Sequence, residues 1–482
     1  MTTDPGLRRL ALGTLLAAFP GHEAPPWAID LIDDGLAGYT LFGYNIADAV
    51  QLSALTASLR AARPDVLLAT DEEGGDVTRL AHTTGSPYPG NAALGAVGDL
   101  TVTRRVYRAI GGDLAAVGIN VNLAPTIDVN TADDNPIVGT RSFGSAPTLV
   151  AAHAAAAVVG LQQAGIAACA KHFPGHGATV TDSHLELPVV DVSLDELHAR
   201  DLPPFAAAVG ADAKAIMTAH IRVPALTGDA PATFSRHALV DLLRLQLGFT
   251  GVVVSDALEM KGAAATAGGI PPGAVRSLAA GADLLLIGAQ VDHALIEDTA
   301  AGIAGALRDG RLALARVEDA VARNRALAAW TLGRSLETPD PDLGYAAARR
   351  AVRIEGSVEG SGTALVVHVE SGYSIAEGKV PWGLGPHLSG TVSQLWVDAT
   401  MSTVDSLRAA AEGRPIVLVG RHLHRAIPTR MLVENLAKVH PVVVVEMGWP
   451  SSWRPSGATA FVTTYGASHA NGRAAAEALE LR

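Results

Sequence analysis

A chain of 482 residues with 49% hydrophobic and 17% charged residues, against roughly 25% charged in an ordinary globular protein, has material for a large core and not the composition of a disordered one. Its formal net charge of -12, with no basic run, excludes a protein that grips nucleic acid through the phosphates. The single cysteine, Cys169, excludes an intrachain disulfide and a cysteine-rich metal cluster, and suits a reducing compartment such as the cytoplasm.

At the N-terminus, Arg8-Arg9 followed by the apolar run Leu10 to Phe19 imitates the start of a secretory signal. Against that, the run passes into Pro20-Gly21 with no small-residue cleavage site, and it supplies a strand. No apolar stretch reaches the ~20 residues that a membrane-spanning helix needs. Eight short β-rich runs then recur: Leu15 to Phe19, Tyr39 to Phe42, Val66 to Thr70, Asn120 to Leu123, Ala167 to His172, Ala215 to His220, Val252 to Asp256 and Leu284 to Gly288. Each is followed by loop residues and an Ala/Leu-rich helical stretch, His153 to Val159 among them, which is the pattern of a parallel α/β fold. Eight strands over about 290 residues match a (β/α)8 TIM-type barrel better than a doubly wound sheet, so residues just past the strands are expected to converge on one pocket.

The stretch Ser335 to Tyr345, with Thr338-Pro339-Asp340-Pro341-Asp342, breaks the helical pattern and reads as a linker. The expected division is a catalytic barrel over 1–335, a linker over 336–345 and a smaller α/β sandwich domain over 346–482. Its runs Ala364 to Val369, Gln394 to Val397, Ile416 to Val419, Val442 to Glu446 and Ala460 to Thr463 read as buried parallel strands.

The densest chemistry lies past the fifth strand, in Lys171-His172-Phe173-Pro174-Gly175-His176-Gly177 and then Asp182-Ser183-His184. Cationic and imidazole groups on a Gly/Pro-shaped loop at this end of a barrel are costly unless they bind or transform something polar. A solvated loop is the bland alternative. A zinc site from His172, His176, Asp182 and His184 is a second one, although Pro174 and Gly175 keep the two imidazoles off one helical face. Asp182 and His184 fit better as a dyad, the carboxylate fixing the imidazole tautomer for proton transfer. Asp256 ends the seventh strand, where a carboxylate serves equally as a nucleophile or as a helix N-cap. Asp71-Glu72-Glu73-Gly74-Gly75 follows the third strand, with Arg79 a turn later. Acidic groups beside a Gly pair suit bidentate bonding to hydroxyls, and Arg79 offsets their charge. Arg141, in Gly139-Thr140-Arg141-Ser142-Phe143-Gly144, is either a ligand contact or half of a surface salt bridge.

Taken together, these segments resemble glycoside hydrolase family 3, and within it the β-N-acetylglucosaminidase branch. The most specific part is Lys171 to Gly177 with Asp182-Ser183-His184, because that branch replaces the usual carboxylic acid/base with an Asp-His pair on this loop. Leu41-Phe42-Gly43-Tyr44-Asn45-Ile46 and Ser255-Asp256 with Met260 are also similar to family signatures. The resemblance implies Asp256 as nucleophile, His184 as acid/base and Asp182 as its orienting partner. It implies that Asp71, Arg79, Arg141, Lys171 and His172 hold the sugar's hydroxyls and, in part, its N-acetyl group. Ala178 stands where many relatives carry an acidic residue, and Glu72 where an amide is common, which bears on substrate preference. The second domain resembles the trailing domain of two-domain members. Glu446 is the residue there that a rival acid/base arrangement would use, and its strand-end position reads as structural.

The implied reaction is a retaining, exo-acting double displacement on terminal β-linked N-acetylglucosamine through a glycosyl-Asp intermediate, with a peptidoglycan fragment as the suggested substrate. Because a neutral histidine does not repel an anion as a second carboxylate would, a phosphorylase that uses inorganic phosphate is the runner-up. A silent sugar-binding protein is the alternative from another class, although binding alone needs no nucleophile opposite a proton donor. No organic cofactor is expected, since no Gly-x-Gly-x-x-Gly turn follows a strand and there is no P-loop. The expected partner is a saccharide containing N-acetylglucosamine, with neither nucleic acid nor membrane.

Overall fold

The computed structural model describes residues 4–332 and 340–482. Their contacts divide the chain into two compact units. One comprises the described residues of Met1–Glu72, Thr103–Asn135 and Ser145–Pro339, the other Glu73–Val102, Pro136–Gly144 and Asp340–Arg482. The division is therefore not a single cut near residue 335. The segments after the third and fourth strands group with the C-terminal part of the chain.

The first unit is built on a closed parallel barrel: β1 (Leu15–Ala17), β2 (Gly38–Thr40), β3 (Leu67–Thr70), β4 (Val121–Asn122), β5 (Ala167–Phe173), β6 (Ala215–Thr218), β7 (Val252–Ser255) and β8 (Leu284–Leu286). Closure comes from β1 pairing with both β2 and β8. The run imitating a secretory signal is here a helix, Pro5–Leu12, leading into β1. The Ala-rich stretch is the middle of a helix over Pro147–Gln163. Among the described residues no helix is long and apolar enough to cross a membrane.

One core cluster takes alternate residues from around the barrel: Leu16, Leu67 and Ala69, Val121 and Leu123, Ala167 and Cys169, Ala215 and Met217, Val252 and Val254, Leu284 and Leu286. Side chains from opposite strands meet only inside a barrel, so this row is the interior. Because strand side chains alternate, the next member of each row must point into the barrel mouth. Leu67, Ala69 leads to Asp71; Ala167, Cys169 leads to Lys171; Val252, Val254 leads to Asp256. The apolar rows therefore aim three charged groups at one place.

The second unit carries a six-stranded sheet of β9 (Arg353–Gly356), β10 (Leu365–Val369), β11 (Gln394–Val397), β12 (Ile416–Gly420), β13 (Val442–Glu446) and β14 (Ala460–Thr463), in the order β11-β10-β12-β13-β14-β9. Apolar clusters cover both faces, Val366, Val417 and Val443 on one and Val367, Leu418 and Val444 on the other, making an α/β sandwich. One expectation needs correction, and one strand was not anticipated. β11 is an exposed edge strand rather than a buried one, and β9 closes the opposite edge antiparallel to β14. The sequence Arg353-Ile354-Glu355-Gly356 is exposed throughout, so it has no apolar run to announce it.

Of the expected linker, residues 336–339 lie outside the described residues. The remainder turns into a helix at Leu343, ahead of the expected domain start at 346, because Leu343, Ala347, Ala348 and Ala351 form a buried stripe. That helix packs on the helix Asn91–Val97 from the excursion after β3. The approach is so close at Gly344 that a Cβ would lie 2.0 Å from the carbonyl oxygen of Pro87.

Candidate active site

Three groups whose charge reaches the buried thiol of Cys169, inside the barrel, are Lys171, Asp71 and Asp256. They gather at the mouth as the interior rows require. Lys171 Nζ, itself buried, lies 2.6 Å from Asp71 Oδ1. Beyond Ala170 the pairing of β5 with β6 shifts register, Ala170 facing Ile216 and Phe173 facing Thr218. One extra residue is thereby accommodated, and such a bulge takes a side chain off the interior row. Lys171 and His172 are the two residues in this irregular stretch.

His172 turns to Asp128, on the loop after β4. Asp128 Oδ2 accepts from His172 Nδ1 at 2.8 Å, and Oδ1 accepts from the backbone N–H of His176 at 2.7 Å and of His172 at 3.2 Å. Complete burial pushes the Asp128 carboxyl up, but the charge and hydrogen bonds of His172 and His176 outweigh it and hold the group below the ordinary range. An ionised carboxylate only accepts, so Nδ1 of His172 carries the proton and Nε2 faces away from Asp128. Gly177 closes the loop against the same segment: a Cβ there would sit 1.9 Å from the carbonyl oxygen of Val129. Only glycine fits.

His184 donates both its backbone N–H and Nδ1 to Asp182 Oδ1, each at 2.8 Å. Burial raises the Asp182 carboxyl, and the bonds from His184 more than compensate. Asp256 accepts from Ala257 N at 2.7 Å. Its carboxyl too is raised by burial and brought below the ordinary range by the charges of His220, His172 and His184. The charges of these three imidazoles thus act on one carboxylate. His220 is buried against it, its Nε2 donating to the carbonyl of Ala257 at 3.0 Å. As for the N-cap alternative, the following helix Lys261–Ala267 has Met260 at its N-cap, so Asp256 caps nothing there.

Each alternative for the loop meets its own obstacle. His172 and His176 are buried, so they are not solvated. His176 spends its ring nitrogens on Thr179 Oγ1 at 2.7 Å and Ser183 Oγ at 3.0 Å, leaving no lone pair for a metal. Among the described residues no group of three or more His, Cys, Asp or Glu is placed to hold a metal ion.

Arg79 and Arg141 belong to the second unit. Arg79 donates to the carbonyls of Ala376 and Glu377. Arg141 is buried and forms a two-point pair with Glu73, at 2.9 Å from Nε and 2.8 Å from an Nη, which is no surface salt bridge. Glu446 is also settled in place, its carboxylate accepting from the backbone N–H of His422, Leu423 and Gly448. A carboxylate so held is a structural bracket.

Residues 23–327 match the family model described as the glycosyl hydrolase family 3 N terminal domain. The chain belongs to glycoside hydrolase family 3. The match takes in the whole constellation around Asp256. Beta-hexosaminidase A of Pseudoalteromonas piscicida is 40% identical over 261 residues, 49% of this chain and 44% of that protein, so the matched segment spans less than half of that relative. A beta-hexosaminidase of Stenotrophomonas maltophilia is 37% identical over 280 residues, 57% of this chain and 82% of the relative. A solved family 3 beta-N-acetylglucosaminidase from Paenibacillus sp. str. FPU-7 superposes with a TM-score of 0.87 at 31% identity, covering 98% of this chain and 96% of that one.

In this family 3 chain the sequence motifs pointed to His184, Asp182 and Asp256 but passed over Asp128 and His220. Asp128 stands 44 positions from His172 in a loop without a motif. His220 was legible only as the end of a strand.

One pH effect follows from the loop. Burial, with His172 adding, lowers His176 to about 4, against 6.5 for a free imidazole. The unfolded chain therefore binds a proton there that the folded chain refuses. This contribution to stability is complete above pH 6.5 and is lost as the pH falls toward 4, at a cost of about 3 kcal/mol. Melting temperatures followed from pH 7 to 4.5 should fall more steeply for the wild type than for His176→Gln; equal slopes would refute the assignment.

Proposed function

We propose that this chain is a retaining, exo-acting β-N-acetylglucosaminidase that hydrolyses terminal β-linked N-acetylglucosamine. The observation that carries the reading is the Asp182–His184 pair on a loop whose imidazole acts electrostatically on Asp256. The family membership and the activity of the Paenibacillus beta-N-acetylglucosaminidase support it.

The chemistry follows from the proton positions. With Nδ1–H held by Asp182, Nε2 is the nitrogen that meets substrate. Asp256 attacks the anomeric carbon while the doubly protonated His184 gives its Nε2 proton to the departing oxygen, and Asp182 balances the charge on the ring. The glycosyl–Asp256 ester and a neutral imidazole result. His184 Nε2 then takes a proton from water as its oxygen attacks the anomeric carbon, and Asp256 leaves as a carboxylate. Asp71, Lys171 and His172, at the mouth, bind the sugar hydroxyls. Arg79 and Arg141 enter on the resemblance alone. A peptidoglycan fragment with a muramic acid aglycone is the substrate that the resemblance favours.

The test is turnover of para-nitrophenyl β-N-acetylglucosaminide, with proton NMR on the sugar as first released. The expected product is the β-anomer. An α-anomer would overturn the double displacement, and a sugar 1-phosphate formed in phosphate buffer would turn the assignment to a phosphorylase.

A further inference from the structure

Ser183 lies between the two members of the dyad and faces the opposite way. It is 2% exposed, whereas the His184 side chain is 22% exposed. Its hydroxyl meets His176 Nε2 at 3.0 Å, and its carbonyl accepts from Gly262 N at 3.3 Å, on the segment that follows Asp256. Gly262 is held close, since a Cβ there would lie 3.1 Å from that same carbonyl.

The protons of this arrangement can be placed one by one. Thr179 donates its hydroxyl hydrogen to the carbonyl of His176 at 3.0 Å, so Thr179 Oγ1 can only accept from His176 Nδ1. The buried ring is neutral, which leaves Nε2 as an acceptor, and Ser183 must donate to it. The backbone N–H of His176 is fixed in turn by Asp128, which also holds His172. A chain of directed bonds thus runs from Asp128 through His176 to Ser183.

We infer that His176 and Ser183 are positioning residues, a pin that holds the acid/base loop so that His184 Nε2 points at the bond being cleaved. This rests on the reading of Asp182 and His184 as the acid/base pair. In the first step, glycosylation, a pin of this kind matters only where protonation of the leaving group matters. Its removal should spare substrates whose aglycone departs unaided and harm those whose aglycone needs a proton. A merely structural role would lower both alike.

The experiment compares wild type, Ser183→Ala and His184→Ala on a dinitrophenyl and a methyl β-N-acetylglucosaminide, well below the melting temperature of each variant. For Ser183→Ala we expect kcat/KM on the methyl glycoside, which reports glycosylation alone, to fall roughly 10- to 100-fold and kcat/KM on the dinitrophenyl glycoside to change less than about threefold, with Ser183→Thr restoring most of the loss. Amide hydrogen exchange should quicken over residues 178–190 and not in the barrel strands. Equal losses on both substrates, no loss on either, or unchanged exchange would overturn the inference. If His184→Ala itself shows no dependence on the leaving group, the acid/base reading has failed instead, and the two failures are told apart.

Discussion

Asp256→Ala should lose about four orders of magnitude or more in kcat on every β-N-acetylglucosaminide, whatever its aglycone, and keep its fold. The size of the loss follows from position. Val252 and Val254 pack the barrel interior, and the alternation that buries them leaves Asp256 no direction but the mouth. Its carboxylate stays ionised against burial through His220, His172 and His184, as an attacking group requires. Truncation removes a charge that the imidazoles hold favourably, so the melting temperature should fall modestly at neutral pH while the fold is kept. His184→Ala should differ in kind, its loss growing as the leaving group worsens. Azide is the decisive reagent: it should restore turnover in Asp256→Ala by attacking the anomeric carbon directly, giving a glycosyl azide of α configuration. An Asp256→Ala enzyme that keeps more than a hundredth of the wild-type rate would remove Asp256 from the reaction.

The legible and illegible parts of this structure differ in how far apart the interacting residues lie. β1 to β8 announce themselves because each is a short apolar run with turn residues beside it, and β10 and β12 to β14 do so for the same reason. β9 is an edge strand whose four residues are all exposed, so no local pattern could reveal it. The site divides likewise. Asp182 and His184 are two residues apart, and their bond is visible in the spacing. Asp128 and His172 meet across 44 residues, and Arg141 and Glu73 across 68. Such pairs depend on where the strand ends lie around the barrel or within the second unit. The grouping of residues 73–102 and 136–144 with the C-terminal unit is another long-range fact, since both segments fall between barrel strands in the sequence.

Asp128→Ala should be the most destabilising single change in this site, and it should also disable it. The carboxylate is buried, and three donors lose their acceptor at once: His172 N, His172 Nδ1 and His176 N. Stranding a buried partner in this way costs about 3–5 kcal/mol, which in a chain of this length corresponds to a drop in melting temperature of roughly 5 °C. Two consequences for turnover follow from the geometry. His172 loses the bond that sets its tautomer, weakening contact with the sugar and raising KM. His176 loses the bond that seats its backbone, loosening the tie to Ser183 and lowering kcat/KM most on aglycones that need a proton. Asp128→Asn separates charge from shape, because it retains one carbonyl oxygen as an acceptor but sets an NH2 group against a donor. It should fall between wild type and Asp128→Ala in stability, yet lie close to Asp128→Ala in activity. Calorimetry and the two aglycones decide the matter: an Asp128→Ala protein within 1 kcal/mol of wild type would show that the loop is seated by something else.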